Sequence, residues 1–393
     1  MKCEYRQLGT LVKRKIGYGI VQPGPNQKQG IPIIKVNNII SGLKSITDLD
    51  CTTEQISSKY ERTKLHGGEL IISVVGTIGK TAIVPKAFAG CNLVRATAMI
   101  DIPDLQLAKW VKYYLDSPKG QAYIHQNLNT TVQPTLNIKS LSEIPIPFYS
   151  DTQMQQVVSV LESFDNKIEL NNKINENLQQ QVRAILSKWL LENEENYEFA
   201  SLSDVAVINP DTYSPKEGWE YVNYLDTSSI TDGVISEVQY IEPSTEKLPS
   251  RARRIIAKND VVFSTVRPNQ RHFGIIREPL ENMLASTGFA VVRSKYSYVS
   301  NELLYLCLTE NSFIEKVQQL AEQSTSTFPS IKPSDLGTCE IPCPIDQHLS
   351  ETLNSIFAYI ASNQRENNSL AILRETLLPR LMSGDLDVSN IKI

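Results

Sequence analysis

Cysteine is scarce in this sequence: six among 393 residues, too few for a disulfide scaffold. Only Cys339 and Cys343 lie close together, and no nearby His or Cys completes a metal set with them. No apolar run approaches the roughly 18 residues needed to span a bilayer. The amino terminus, Met1-Lys2-Cys3-Glu4-Tyr5-Arg6-Gln7, lacks the apolar core of a secretory signal. A reduced, cytoplasmic protein is expected.

The usual catalytic signatures are missing as well. The four histidines, His66, His125, His272 and His348, show no metal-ligand spacing. Neither Glu-x-Lys nor Gly-x-Ser-x-Gly occurs. Gly76-Thr77-Ile78-Gly79-Lys80-Thr81 has the tail of a phosphate-binding loop, but Val74 stands where that loop needs its first glycine. A glycine turn leading into a strand is the better reading. Asn209-Pro210-Asp211-Thr212-Tyr213 lacks the second proline of the amino-methyltransferase signature, and no Gly-rich strand-turn-helix precedes it. No catalytic residue and no metal ligand is therefore assigned, and no bound cofactor is expected.

What the chain does have is a repeat. A 4-3-4-3 spacing passes through Val157, Leu161, Phe164, Ile168, Asn171, Asn175, Leu178, Val182, Ile185 and Trp189. The same spacing, 192 residues later, passes through Leu349, Leu353, Ile356, Ile360, Asn363, Asn367, Leu370, Arg374, Leu377 and Leu381. This is the seam of a long helix that packs on a partner helix. Asn171 and Asn175 match Asn363 and Asn367, and a buried Asn fixes register at a cost in stability. The two helices can thus pair with each other within one chain, although each could instead pack on its own domain.

The regions ahead of the helices also correspond. Gly30–Ile39 resembles Trp219–Asp226, Gly68–Ser73 resembles Asn259–Ser264, and Pro134-Thr135-Leu136 precedes Ile144-Pro145-Ile146-Pro147 as Pro329-Ser330-Ile331 precedes Ile341-Pro342-Cys343-Pro344. Short β-type runs bounded by Gly, Asn and Pro, with helical stretches near Leu105–Gln126 and Ser300–Gln323, make an α+β domain. The expected plan is an α+β domain at 1–150, a long helix at 151–195, a second α+β domain at 196–345, and a second long helix with the tail at 346–393.

The net charge of −4 conceals an asymmetry. Residues 1–150 hold 18 Lys and Arg against 10 Asp and Glu, a surplus of eight positive charges that suits a polyanion partner. In the acidic second half, residues 251–277 concentrate Arg251, Arg253, Arg254, Lys258, Arg267, Arg271, His272 and Arg277 against Asp260 alone. Arginine clamps phosphate and reads guanine, and the neighbouring Asn269 and Gln270 can read adenine edges. The matching stretch of the first half carries Lys59, Arg62, Lys64, Thr77, Lys80 and Arg95. Polar runs just before the Pro-x-Leu/Ile elements add Thr130, Thr131 and Gln133, and Ser324 and Thr325. These residues are candidate DNA contacts; the plainer reading is solvated charged loops and loop caps.

At this point the chain resembles the specificity (S) subunit of type I restriction-modification enzymes. The resemblance covers essentially the whole chain. It rests on the duplicated plan and on the openings Leu8-Gly9-Thr10-Leu11-Val12 and Leu202-Ser203-Asp204-Val205-Ala206. It also rests on the turns into Ser73 and Ser264, the Ile-Pro-x-Pro passages, and the closing Leu377-Leu378-Pro379-Arg380-Leu381-Met382-Ser383-Gly384-Asp385-Leu386. The first half departs from the family where Tyr149-Ser150-Asp151-Thr152-Gln153 replaces the usual Glu-Gln pair. The resemblance implies two target-recognition domains, each reading one half of a split sequence in double-stranded DNA. It implies two long helices paired antiparallel as a ruler, and no chemistry in the chain itself. The implied partners are two modification subunits that methylate adenine at N6 with S-adenosylmethionine. Restriction subunits, where present, cleave with ATP and Mg. The alternatives are a two-domain coiled-coil scaffold for protein partners without a DNA role, and an enzyme on a divergent fold.

Overall fold

Each seam forms one helix, Asp151–Glu192 and Gln347–Ser383. The structure is a computed structural model that describes residues 3–129, 134–195, 197–324, 328–343 and 346–386. All twenty seam positions are buried or half-buried, as an interhelical stripe requires. The chain divides into two compact units through both helices: Met1–Glu169 with Asn367–Ile393, and Leu170–Glu366. Each unit therefore contains a piece of both helices. Among the described residues no helix is long and apolar enough to cross a membrane.

In the first unit, strands Arg14–Tyr18, Thr97–Asp101, Leu70–Ser73 and Thr81–Ile83 form an antiparallel four-stranded sheet in that order. A smaller sheet orders Asp50–Thr52, Ile31–Ile34 and Asn92–Leu93. Glu4–Gln7 pairs antiparallel with Pro145–Phe148, just ahead of the long helix. The four-stranded sheet packs one face on Leu105–Asp116 and on the long-helix residues Val157, Leu161, Leu378 and Leu381. Its other face packs on the smaller sheet through Ile71, Met99, Leu93 and Ile34. Across the helix pair, Arg374 donates to Asp165 at 2.7 Å and Tyr149 to the Met382 carbonyl at 3.3 Å. The partner numbers fall as the others rise, so the helices run antiparallel.

The second unit repeats this plan. Ala206–Ile208, Phe289–Ser294, Asp260–Ser264 and Phe273–Ile276 form its four-stranded sheet, and Glu198–Ser201 pairs with Glu340–Cys343. The second sheet gains a strand, Ala252–Ile255, beside Met283–Ser286. A hairpin, Ile230–Thr231 with Val234–Ile235, is also added. Here Asn363 Nδ2 donates to Asn175 Oδ1 at 2.8 Å and Asn171 Nδ2 to Glu366 Oε2 at 2.8 Å, again antiparallel. Two tandem α+β folds, each followed by a long helix, are thus what the chain forms.

The expected helical stretches are each split in two. Leu105–Asp116 and Pro118–Gln126 break at Ser117, which caps the second helix ahead of a proline at its first turn. Asn301–Leu308 and Asn311–Glu322 break at Thr309-Glu310, where neither a capping side chain nor a proline marks the second helix.

Candidate nucleic-acid interface

In the first unit a cleft of about 560 Å³ is walled by Arg14, Lys15, Tyr18, Lys59, Tyr60 and Arg62, with Thr63 and glycine and aliphatic residues completing it. A second hollow of about 400 Å³ holds Arg95, Val75 and Thr135, and Val21 lines both. No Asp or Glu lines either one. Arg14 is not a free cation. It contacts Asp101, and its Nη2 donates to the buried Glu69 at 2.7 Å. Its Nη1 donates to the Lys64 carbonyl at 2.9 Å, so the pair anchors the loop that bears Arg62 and Lys64. Glu69 also accepts the His66 and Gly67 amides, at 2.7 and 2.8 Å. The charge available to a ligand therefore comes from the exposed Lys59 and Arg62, with Lys15 beside them. Burial pushes the Tyr18 phenol above its ordinary range, and its hydroxyl donates to the Leu136 carbonyl.

Thr77 and Lys80 are exposed on a turn held from within by Ser73. The Ser73 hydroxyl donates to the Thr77 carbonyl at 2.6 Å and accepts the Lys80 amide at 2.8 Å. The turn uses Gly76 at φ +77° and Gly79 at φ +87°. A Cβ on Gly79 would lie 2.6 Å from Gln121 Oε1. The glycine turn leads into Thr81–Ile83, so the phosphate-loop likeness ends there. Val75 bridges Thr135, which also pairs with Asn129. Thr130, Thr131 and Gln133, between those partners in sequence, lie outside the described residues, as does Thr325.

The second unit presents the corresponding edge with different residues. Arg251 is exposed, and its carbonyl accepts the Thr287 amide at 2.8 Å. Arg253 and Arg254 are half-buried on the added strand, and burial lowers the Arg254 pKa. The first-half cluster sits instead on a 3-10 segment, Ser58–Thr63, so the two clusters occupy different local structures. The Thr265 amide donates to the Gly288 carbonyl at 2.8 Å, bringing the turn after Ser264 beside Thr287. In that turn Arg267 (φ +47°) and Arg271 (φ +60°) flank Pro268–Gln270, with Asn269 and Gln270 exposed. Each left-handed arginine costs about 1–2 kcal/mol relative to glycine. Val266 bridges Ser330, as Val75 bridges Thr135. Ser324 follows the helix Asn311–Glu322.

Arg277 contacts the buried Glu302, and Arg293 closes on Asp260, so both hold the fold together. Reading by residue type and matching position missed Lys15, Tyr18 and Tyr60 in the cleft. The interleaving of aromatic and basic residues in Arg14–Tyr18 and Lys59–Arg62 was the available signal. Of the helix asparagines, Asn171 and Asn175 are buried in the seam with Asn363, and Asn367 is half-buried. Among the described residues no three His, Cys, Asp or Glu side chains gather as a metal site.

Residues 2–180 match the family described as type I restriction modification DNA specificity domain. The chain is 29% identical over 197 residues to the EcoBI specificity subunit of Escherichia coli, a stretch covering 46% of this chain and 41% of that protein. It is 25% identical over 306 residues to the MjaIX specificity subunit of Methanocaldococcus jannaschii, covering 71% of this chain and 69% of that one. In fold it is similar to the S subunit of a type I system from M. genitalium. The TM-score is 0.54 at 16% identity, over 97% of this chain and 96% of that one.

Proposed function

We propose, from the match of residues 2–180 to the type I restriction modification DNA specificity domain family, that the chain is the sequence-reading subunit of a DNA methylation and restriction complex. Each α+β unit reads one half of a split target in double-stranded DNA. The observation that carries this reading is the recurrence, in both units, of exposed cations and a polar turn around equivalent sheet edges. Phosphate contacts by Lys59, Arg62, Lys64, Arg95 and Arg251 would set affinity and register, and hydrogen bonds from Thr77, Lys80, Arg253, Arg254 and the Arg267–Arg271 turn would set sequence.

The long helices act as the ruler for the unread spacer. A 42-residue helix is about 63 Å long, more than a duplex turn of about 34 Å. The chain recruits two modification subunits and performs no chemistry itself. Adenine methylation requires the base to leave the stack, which is the partners' task and uses their S-adenosylmethionine. ATP and Mg belong to restriction subunits where these join. The complex works in the cytoplasm.

The test is to co-express the chain with its cognate modification subunits in a host without such systems and to map N6-methyladenine. A new split motif that requires the chain is expected. A stable complex that installs no methylation would favour the protein-interaction scaffold.

A further inference from the structure

The two units build one turn from different residues. After Ser73 the first unit passes through Gly76 and Gly79, both at positive φ; after Ser264 the second passes through Arg267 and Arg271, at φ +47° and +60°. Glycine is the ordinary occupant of such backbone, and the first unit uses it in a corresponding turn one residue shorter. Arginine at both places therefore has a use that glycine could not serve.

The side chains divide the work. The Arg267 guanidinium lies 4.5 Å over the Phe328 ring, and its N–H edge hydrogen-bonds to no described residue. It is a fork held over the ring with its donors unused by any described residue. Arg271 is tied down: its Nε lies 2.5 Å from Asp232, and its Nη1 donates to Asn311 at 3.0 Å. Asp232 belongs to the added hairpin, and the Asp232 amide donates back to the Arg271 carbonyl at 2.9 Å. That hairpin has no counterpart among the described strands of the first unit. Asn269 and Gln270 stand exposed between the two arginines.

Building on the DNA-reading function proposed above, we infer that this turn is a specificity-determining element of the second unit. Arg267 presents its fork to a guanine edge in the major groove, where two parallel hydrogen bonds to O6 and N7 distinguish that base. Arg271 is a positioning residue, clamped through Asp232 so that the strained turn holds one shape.

The experiment compares the wild-type chain with Arg267→Gly, Arg267→Lys and Asp232→Asn, each co-expressed with the cognate modification subunits and mapped for N6-methyladenine. Glycine relaxes the backbone, so the Arg267→Gly complex should assemble and unfold at no lower temperature than wild type. Its methylation should nevertheless lose about 10-fold or more of its discrimination at one position in one half of the motif, with the other half unchanged. Arg267→Lys keeps the charge but not the fork and should relax the same position. Asp232→Asn, which leaves Arg267 in place, should alter the same half. An unchanged motif in both Arg267 variants overturns the inference. So does a uniform fall in methylation across sequences, the mark of a phosphate contact. A wild-type complex that methylates nothing would overturn the DNA-reading function itself, and this inference with it.

Discussion

Arg293 closes on both oxygens of the fully buried Asp260 carboxylate, with Nε and Nη2 at 2.7 and 2.8 Å. The first unit buries an acid at the matching place, Glu69, but neutralises it from another strand. Leu70 pairs with Ile100 as Val261 pairs with Val292, so Asp101 occupies the position of Arg293. The cation is supplied instead by Arg14, from the neighbouring strand Arg14–Tyr18. The two units share the requirement that a buried carboxylate be met by arginine, and differ in where the arginine comes from.

Breaking that pair should be costly. Arg293→Met strands the Asp260 carboxylate in the sheet and should destabilise the protein by about 3–5 kcal/mol in urea denaturation. The double replacement Asp260→Leu with Arg293→Met removes both charges and should recover most of the loss. A single variant within about 0.5 kcal/mol of wild type would show that the pair has no structural weight.

Acid sensitivity should appear at the start of the second long helix. Asp346 accepts the Leu349 amide at 3.1 Å and the Trp189 indole N–H at 2.7 Å. The backbone bond and then the indole bond hold its carboxyl below the usual carboxylate range. A depressed folded pKa stabilises the protein above the unfolded value of about 3.9 and loses that contribution as pH falls through the folded value. Asp346→Ala should cost about 1 kcal/mol at neutral pH, the usual loss for a helix cap. Asp346→Asn keeps a cap and removes the titration. Its stability relative to wild type should therefore rise as pH drops below about 4. Parallel curves for wild type and Asp346→Asn from pH 7 to 3 would contradict this assignment.

The buried thiols should be inert. Burial pushes Cys307 up to about 12 and Cys91 up to about 11. Thiolate is the reactive form, so at pH 8 iodoacetamide should modify the partly exposed Cys3 and Cys51 in the folded protein. Cys91 and Cys307 should react only after denaturation. Peptide mass spectrometry that found Cys307 alkylated as fast as Cys51 would place it at the surface.

Much of this fold is legible in the sequence because its signals are local and periodic. A ten-position seam written twice leaves the long helices little freedom, and every seam residue lies at least half-buried. The break at Ser117-Pro118 was legible too, since a serine cap before proline is a start signal; the amphipathic pattern on either side masks it. The interface is harder to read. Arg14 sits in a basic run, yet its acidic partners are 55 and 87 residues away, so its neutralisation follows only from the strand pairing. Arg251–Arg254 reads as a charged loop and becomes a strand because its backbone pairs with Met283–Ser286. The glycine and arginine turns look unrelated as strings and are recognised as equivalents through the strands and bridges around them.

The ruler can be tested at the asparagines. Asn363 donates to Asn175 at 2.8 Å within the second unit, a polar layer that admits one alignment of the two helices. Inserting one heptad into each helix, carboxyl-terminal to Asn175 and amino-terminal to Asn363, keeps the seam in phase and this layer intact. Each helix lengthens by about 10.5 Å, close to three base-pair steps of about 3.4 Å. If the helix pair sets the spacer, the methylated motif should keep both half-site sequences and gain about three unread base pairs between them. The readout is the same methylation map, with the wild-type chain beside the insertion variant. A changed half-site sequence would sink the ruler, since the insertion touches neither α+β sheet. An unchanged spacer would sink it as well, because the separation would then be set elsewhere in the complex.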